Sequence, residues 1–286
     1  MSMDFAPRQA ADGAWLAPAK LNLTLRIVGR RADGYHLLQS VFQFIDRCDR
    51  LFFEPRDDGQ VRRVQGAKDV PEERDLVVRA ARLLQRQTGC QNGVDIRVDK
   101  QLPMGGGLGG GSSDAATTLH ALNQLWDLEL GIDQLAALGL ELGADVPVFV
   151  RARAAWAEGV GEQLEPVALP EPWYLVLVPP CQVSTAAVFS DPDLTRDSAP
   201  ITIAGFVGGD DRNDCLPVVL RRYAPVAEAF RWLDARAKAR LTGTGCCLFA
   251  AFDDQARAEQ LRAEAPVAWS AFVAKGCNHS PLMRTP

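Results

Sequence analysis

The sequence predicts an α+β protein in two lobes, and three observations carry that prediction. Segments of period-two hydrophobicity are interspersed with segments of helical spacing, without the regular βαβ succession of a doubly wound sheet. A glycine run joins one of those strands to one of those helices. Glycine and proline cluster between residues 158 and 172, a composition change that reads as a seam. We therefore expect an N-terminal domain over 1–164 and a C-terminal domain over 165–286.

Taken in order, Leu21, Leu23, Leu25 and Ile27 alternate with Lys20, Asn22, Thr24 and Arg26, which predicts a half-buried strand with Lys20 and Asn22 on its non-core side. The Asp33-Gly34 pair signals a turn, and the β-branched and aromatic stretch Leu38 to Ile45 returns as a second strand, leaving Tyr35 and His36 at the turn end of a hairpin. Residues 54–72 are polar and read as a loop or weak edge strands. Asp75 to Gln87 is a helix by spacing, with Gly89 just beyond it, and Gly93 to Lys100 is another alternating strand. A helix is expected to begin at Ser112-Ser113-Asp114, and a further one covers about Asp133 to Leu142. The apolar segment after Gly143 is expected to lead into a strand. Beyond the seam, Trp173 to Val178 is a buried strand, 191–211 a loop, Pro225 to Ala239 a helix, Arg240 to Phe252 a glycine turn feeding a strand, and the last helix falls around Asp254 to Glu264.

Composition narrows the function. With 47% hydrophobic and 23% charged residues the chain is an ordinary globular one, and no apolar run is long enough for a membrane span. A net charge of −5 argues against nucleic acid as a general partner. Seven cysteines without Cys-x-x-Cys spacing suggest thiols in a cytoplasm, and residues 1–19 carry no secretory signal pattern. Three histidines far apart give no metal-site spacing.

The glycine run is the most informative segment. Gly105 to Gly111 holds six glycines in seven residues, broken only by Leu108. Such a run is entropically costly, so it implies left-handed backbone or close approach to a ligand. Bare amides at the mouth of a helix are natural donors to phosphate oxygens. A dinucleotide fold would place its first glycine directly after the strand, yet Gln101 to Met104 intervene. Neither a Walker lysine nor the protein-kinase His-Arg-Asp and Asp-Phe-Gly motifs occur.

The segment Pro103-Met-Gly-Gly-Gly-Leu-Gly-Gly-Gly-Ser-Ser-Asp-Ala-Ala116 resembles the phosphate loop of the galactokinase, homoserine kinase, mevalonate kinase and phosphomevalonate kinase (GHMP) superfamily. Pro18 to Leu23 with Arg31 to His36, Leu142 to Pro147 and Leu241 to Gly245 narrow the resemblance to those members that act on 4-diphosphocytidyl-2-C-methyl-D-erythritol. The resemblance covers about Pro18 to Pro281 and leaves residues 1–14 as an extension without an assigned role. It implies an N-terminal nucleotide-binding domain like ribosomal protein S5 and a ferredoxin-like C-terminal domain. It also implies ATP and Mg²⁺, a small-molecule acceptor linked to cytidine diphosphate, and a monomer or weak homodimer.

Residue by residue, the resemblance implies that Lys20 and Asp145 form the catalytic pair. Alone, each reads equally as an exposed strand lysine and a solvated loop aspartate. Pro103, Met104, Gly105, Gly106, Gly107, Leu108, Gly109, Gly110, Gly111, Ser112 and Ser113 would bind ATP, the two serines also serving as helix caps. Asp114 is a candidate metal ligand or simply a first-turn carboxylate favourable to the helix dipole. Tyr35 and His36 would read the cytosine ring, with Phe189 as the opposite aromatic wall or an ordinary core residue, and Asn22 would reach the acceptor. Thr242 and Gly243 would form a backbone wall beside the acceptor, or a tight turn leading a strand. Another small-alcohol kinase of the superfamily, an inactive nucleotide-binding module and, more distantly, a Rossmann oxidoreductase remain the alternatives.

Overall fold

The computed structural model describes residues 7–32 and 34–283; Asp33, half of the turn signal, and residues 1–6 of the extension lie outside them. β1 (Trp15–Arg30) and β2 (His36–Arg56) form the expected hairpin, paired antiparallel from Trp15 opposite Leu51 to Arg30 opposite His36. The polar stretch after it contributes an edge strand, β3 (Val61–Gln65), which runs parallel to β4 (Gly93–Asp99). Between them lies α1 (Leu76–Thr88), capped by the Asp75 side chain on the Val77 N–H and closed by left-handed Gly89. β4 in turn pairs with the far end of β2.

The glycine run opens α2 (Gly110–Leu125), followed by α3 (Ile132–Leu142) and α4 (Val146–Arg151). Two expectations are corrected here. α2 begins two residues early with Gly109 at its cap position, so Ser112 and Ser113 sit in the first turn and cap nothing. The Val-Pro-Val-Phe-Val segment, read only as leading into a strand, is itself a short helix, and the strand follows it at Ala155–Glu158. The segment's β-branched residues favour a strand in isolation, but all five are buried, and Pro147 is tolerated in a first turn. His120 of α2 donates to the Val150 carbonyl of α4 at 2.9 Å, and burial pushes its pKa down to about 4, so it is a core residue.

The chain continues through β5 (Ala155–Glu158), β6 (Gln163–Pro166), β7 (Trp173–Val178), α5 (Thr185–Phe189), α6 (Ile203–Val207) and α7 (Leu216–Arg222). α8 (Ala224–Asp234), β8 (Arg240–Leu241), β9 (Leu248–Phe252), α9 (Gln255–Ala263) and β10 (Ser270–Cys277) complete it. Periodicity missed α6 and α7, too short to display it, and β10, whose alternation is weak. It also ran the preceding helix five residues past its end at Asp234. β10 is the element that joins the two halves: it pairs with β7 along Ser270 to Lys275 and with β2 at Gly276 and Cys277. The sheet order is β3-β4-β2-β10-β7-β9-β8, with β1 and β5 also on β2 and β6 on β5.

Two cores flank this sheet. One gathers Trp15, Phe44, Leu51, Leu84, Ile96, Leu119 and Phe149 around α1 and α2. The other packs Leu21, Leu25 and Ile27 of β1 against Leu175, Val219, Leu233 and Phe249. The apolar side of β1 therefore belongs with the C-terminal elements. Its polar side is not solvated as alternation suggests: Lys20, Asn22, Thr24 and Arg26 are all buried. Thr24 Oγ1 and the Arg26 guanidinium donate to the carbonyls of Arg212 and Ala199, so the 199–214 segment covers that side and satisfies it.

Candidate active site

A single cavity of about 1050 Å³ is lined by nearly every residue the sequence singles out. Lys20, Asn22, Tyr35, His36, Pro103 to Ser112, Asp114, Asp145, Phe189 and Gly243 all face it. Ser113 and Thr242 do not: both are fully buried behind its wall.

The glycine run forms the middle of that wall, and its polarity is set by where its carbonyls go. Gly106 O accepts from the Cys247 N–H at 3.1 Å, and Leu108 O from the Lys20 N–H at 2.9 Å. Gly107 O accepts from both Lys20 Nζ and Thr242 Oγ1. Three consecutive carbonyls thus point into the protein. None of the N–H groups of Gly105 to Gly111 meets a protein acceptor among the described residues. A row of unfilled donors facing a cavity at the start of a sixteen-residue helix is an anion cradle.

Two glycines are fixed by this packing as much as by any ligand. Gly107 lies at φ +82°, and a Cβ there would overlap the carbonyl oxygen of Thr242. Gly109, at φ +73°, would press a Cβ onto the Phe149 ring at 2.7 Å and the Lys20 chain at 3.1 Å. Thr242 is the post that holds the arrangement. Its hydroxyl accepts from the Asn22 N–H at 3.0 Å and donates to Gly107 O at 3.1 Å, tying β1, the glycine run and the Thr242–Gly245 turn together. The tight-turn reading is the geometry observed for Thr242, while Gly243 reaches the cavity.

Lys20 and Asp145 converge although 125 residues separate them in the chain. Lys20 Nζ lies 3.3 Å from Asp145 Oδ2 as an ion pair and donates to Asn22 Oδ1 and Gly107 O. The Asn22 amide donates to Ser40 Oγ at 2.8 Å, so this side chain orients the lysine. Lys20 is sealed in, whereas the Asp145 side chain is 38% exposed to the cavity. Asp145 follows the C-terminus of α3 and also opens α4, so an unfavourable helix end is offset by a favourable one.

Asp114 is engaged elsewhere. Lys100 bridges it to Asp49, with Lys100 Nζ 2.8 Å from Asp114 Oδ2. Asp49, fully buried, also accepts the N–H groups of Gln101 and Leu102 and so anchors the approach to the glycine run. Asp114 Oδ1 and Ser113 Oγ have no hydrogen-bond partner among the described residues. No group of three or more His, Cys, Asp or Glu side chains suited to a metal occurs among the described residues. With an ammonium already on Asp114, a protein-built cation cage does not fit here.

Burial, reinforced by the Asp49 carboxylate and opposed by Lys100, pushes the Asp114 carboxyl up to about 7. A raised acid pKa means the folded state keeps a proton that the unfolded chain has released. Stability contributed by this group therefore falls as pH rises from about 4 to about 7 and is level above that. Asp114→Asn, which stays neutral, is expected to gain stability relative to the natural protein across that window. Urea midpoints at pH 5 and pH 8 check this; an equal difference at both would contradict it.

At the hairpin tip, the His36 and Phe189 rings are stacked, centroids 5.0 Å apart and 23° from coplanar. Phe189 is thus not an isolated wall across a gap from His36; the two make one aromatic surface, with Tyr35 exposed beside it. Sequence reasoning missed Leu76, Val98, Val70 and Lys100, which line the cavity toward α1 and β4, and Arg196, which holds His36. Lys100 had a visible signal, a cation at the end of the strand that leads to the glycine run. Arg196 had none, lying 160 residues from its partner in an irregular segment.

Comparison with known proteins bears on this geometry. Residues 75–153 match the family model described as the GHMP kinases N terminal domain. The chain is 60% identical over 269 residues to a 4-diphosphocytidyl-2-C-methyl-D-erythritol kinase of Nitrosococcus oceani, covering 94% of this chain and 96% of that one. It is also 60% identical to the protein of that name from Pseudomonas paraeruginosa, covering 94% and 95% of the two. A crystal structure of 4-(cytidine 5'-diphospho)-2C-methyl-D-erythritol kinase superposes with a TM-score of 0.76 at 34% identity, over 92% of this chain and 98% of that one.

Proposed function

The chain belongs to the 4-diphosphocytidyl-2-C-methyl-D-erythritol kinases of the GHMP superfamily, with their α+β fold, and from that premise we propose how its residues carry the reaction. The enzyme is a phosphotransferase with an alcohol group as acceptor. It moves the γ-phosphoryl group of ATP to the 2-hydroxyl of 4-diphosphocytidyl-2-C-methyl-D-erythritol, giving ADP and the 2-phosphate, a step of isoprenoid precursor synthesis.

The observation that carries the residue assignment is the meeting of unfilled loop amides with the Lys20–Asp145 pair in one cavity. We assign the amides of Gly105 to Gly111, with Ser112, to the triphosphate. Phosphoryl transfer proceeds through a loose transition state, so positioning and charge stabilisation outweigh activation of the nucleophile. Asp145, open to the cavity, orients the acceptor hydroxyl and takes its proton late. Lys20, held by Asn22 and Gly107, meets the charge on the transferring oxygens. Mg²⁺ would enter on phosphate oxygens and water, as this ion commonly does, and not in a protein cage. The α1–β4 side, with Leu76, Val98 and Val70, suits the adenine ring; the hairpin tip suits the cytidine end of the acceptor. All seven cysteines are free thiols, which supports a cytoplasmic setting. No helix of the described residues is long and apolar enough to cross a membrane.

The test is a direct comparison of acceptors under identical ATP and Mg²⁺. Turnover is expected with diphosphocytidyl-methylerythritol and not with mevalonate or homoserine. Preferential turnover of either of the latter would overturn the acceptor assignment, and no turnover of any would favour an inactive module.

A further inference from the structure

The aromatic surface at the hairpin tip is held by a residue that neither the phosphate cradle nor the Lys20–Asp145 pair accounts for. Arg196 sits in the irregular segment after α5, and its guanidinium makes four hydrogen bonds. Nη2 donates to the carbonyls of Phe189 at 3.0 Å and Asp191 at 2.7 Å, and Nη1 to that of Leu194 at 3.0 Å. Nε donates to His36 Nε2 at 3.3 Å. One side chain therefore fixes the backbone end of α5 and the imidazole that stacks on it.

A guanidinium has only donors. The His36 nitrogen it faces must carry the lone pair, which leaves the proton of the neutral ring on Nδ1. Protonating Nε2 would set N–H against N–H and place two cations in contact. The charged groups facing the ring are Arg196 from this segment and Arg30 from β1, and both act in the same direction as partial burial, lowering the pKa below 6.5. The Asp191 carboxylate on the same segment is turned to Arg221 and Arg222.

We infer that Arg196 is a positioning residue for acceptor recognition: it holds His36 against Phe189 as the neutral tautomer protonated on Nδ1. The wall then offers a single fixed N–H donor beside an aromatic face. That combination suits a nucleobase presenting an acceptor edge, such as the O2 and N3 side of cytosine. The inference rests on the assignment of the hairpin tip to the cytidine end, and its test separates the two claims.

The chain has only three histidines, so long-range proton–nitrogen NMR with His36→Gln as the assignment control reads His36 directly. In the natural protein His36 is expected as the Nδ1–H tautomer, titrating below 6.5. In Arg196→Gln, which keeps a donor and loses the charge, the titration moves up toward the ordinary value of about 6.5. With the ring no longer held in place, the acceptor KM rises about tenfold, the equivalent of one lost hydrogen bond, while the KM for ATP stays level. Arg196→Lys, which keeps the charge without the fork, retains the low titration and loses part of the affinity. An Nε2–H tautomer in the natural protein, or a titration that Arg196→Gln leaves in place, overturns the inference and leaves the kinase assignment standing. A shifted titration with the ATP KM raised and the acceptor KM unchanged overturns instead the assignment of the hairpin tip to the acceptor.

Discussion

Asp145→Asn is expected to lower kcat by about 10²–10⁴-fold, the span of a positioned acid–base group, with ATP affinity unchanged. Asparagine preserves the shape of the side chain and keeps an oxygen toward Lys20, whose Nζ lies 3.3 Å from the carboxylate in the natural protein. The substitution therefore removes the charge and the proton acceptor without collapsing the site. The carboxylate is the more exposed member of the pair, so the loss falls on turnover and little on the binding of either substrate. Initial rates over a range of both substrates, with ATP affinity measured by calorimetry, separate these quantities. Turnover at the natural rate would remove Asp145 from the chemistry.

The second large effect is expected from Gly107→Ala, and it is one of stability as well as binding. The left-handed backbone at φ +82° costs an alanine about 1–3 kcal/mol. Overlap of the new methyl with the Thr242 carbonyl adds about 1–3 kcal/mol, because the obstacle is backbone and cannot rotate away. Together these come to about 2–6 kcal/mol, a large share of the stability of a typical domain, about 5–15 kcal/mol. Gly105→Ala is the control: its φ of +70° carries the backbone strain, but nothing lies within 4 Å of the added carbon. Urea midpoints should fall much further for Gly107→Ala than for Gly105→Ala, with ATP affinity lost alongside. Equal falls would mean that the contact between the run and the Thr242–Gly245 turn contributes nothing.

The contrast between those two glycines marks the limit of what the residues alone disclose. That a glycine run before a helix cradles an anion follows from local chemistry and can be read from the sequence. That Gly107 is needed for its contact with a turn 135 residues away cannot, since only the fold brings the two together. The same holds for β1. Its alternation fixed which residues share a side, but the burial of Thr24 and Arg26 depends on a covering segment from the C-terminal half. α4 failed for a different reason: its β-branched run favours a strand locally, and packing against α2 and α3 overrides that preference. Arg196 had no pattern to betray it, because its role lies entirely in its distant partners.

The amide row itself is most directly tested by a crystal structure with a non-hydrolysable ATP analogue. The β- and γ-phosphate oxygens are expected within hydrogen-bonding distance of N–H groups between Gly105 and Ser112, with the Lys20–Asp145 pair beside the terminal phosphate. A triphosphate lying against another wall, with those amides turned to solvent, would contradict the assignment.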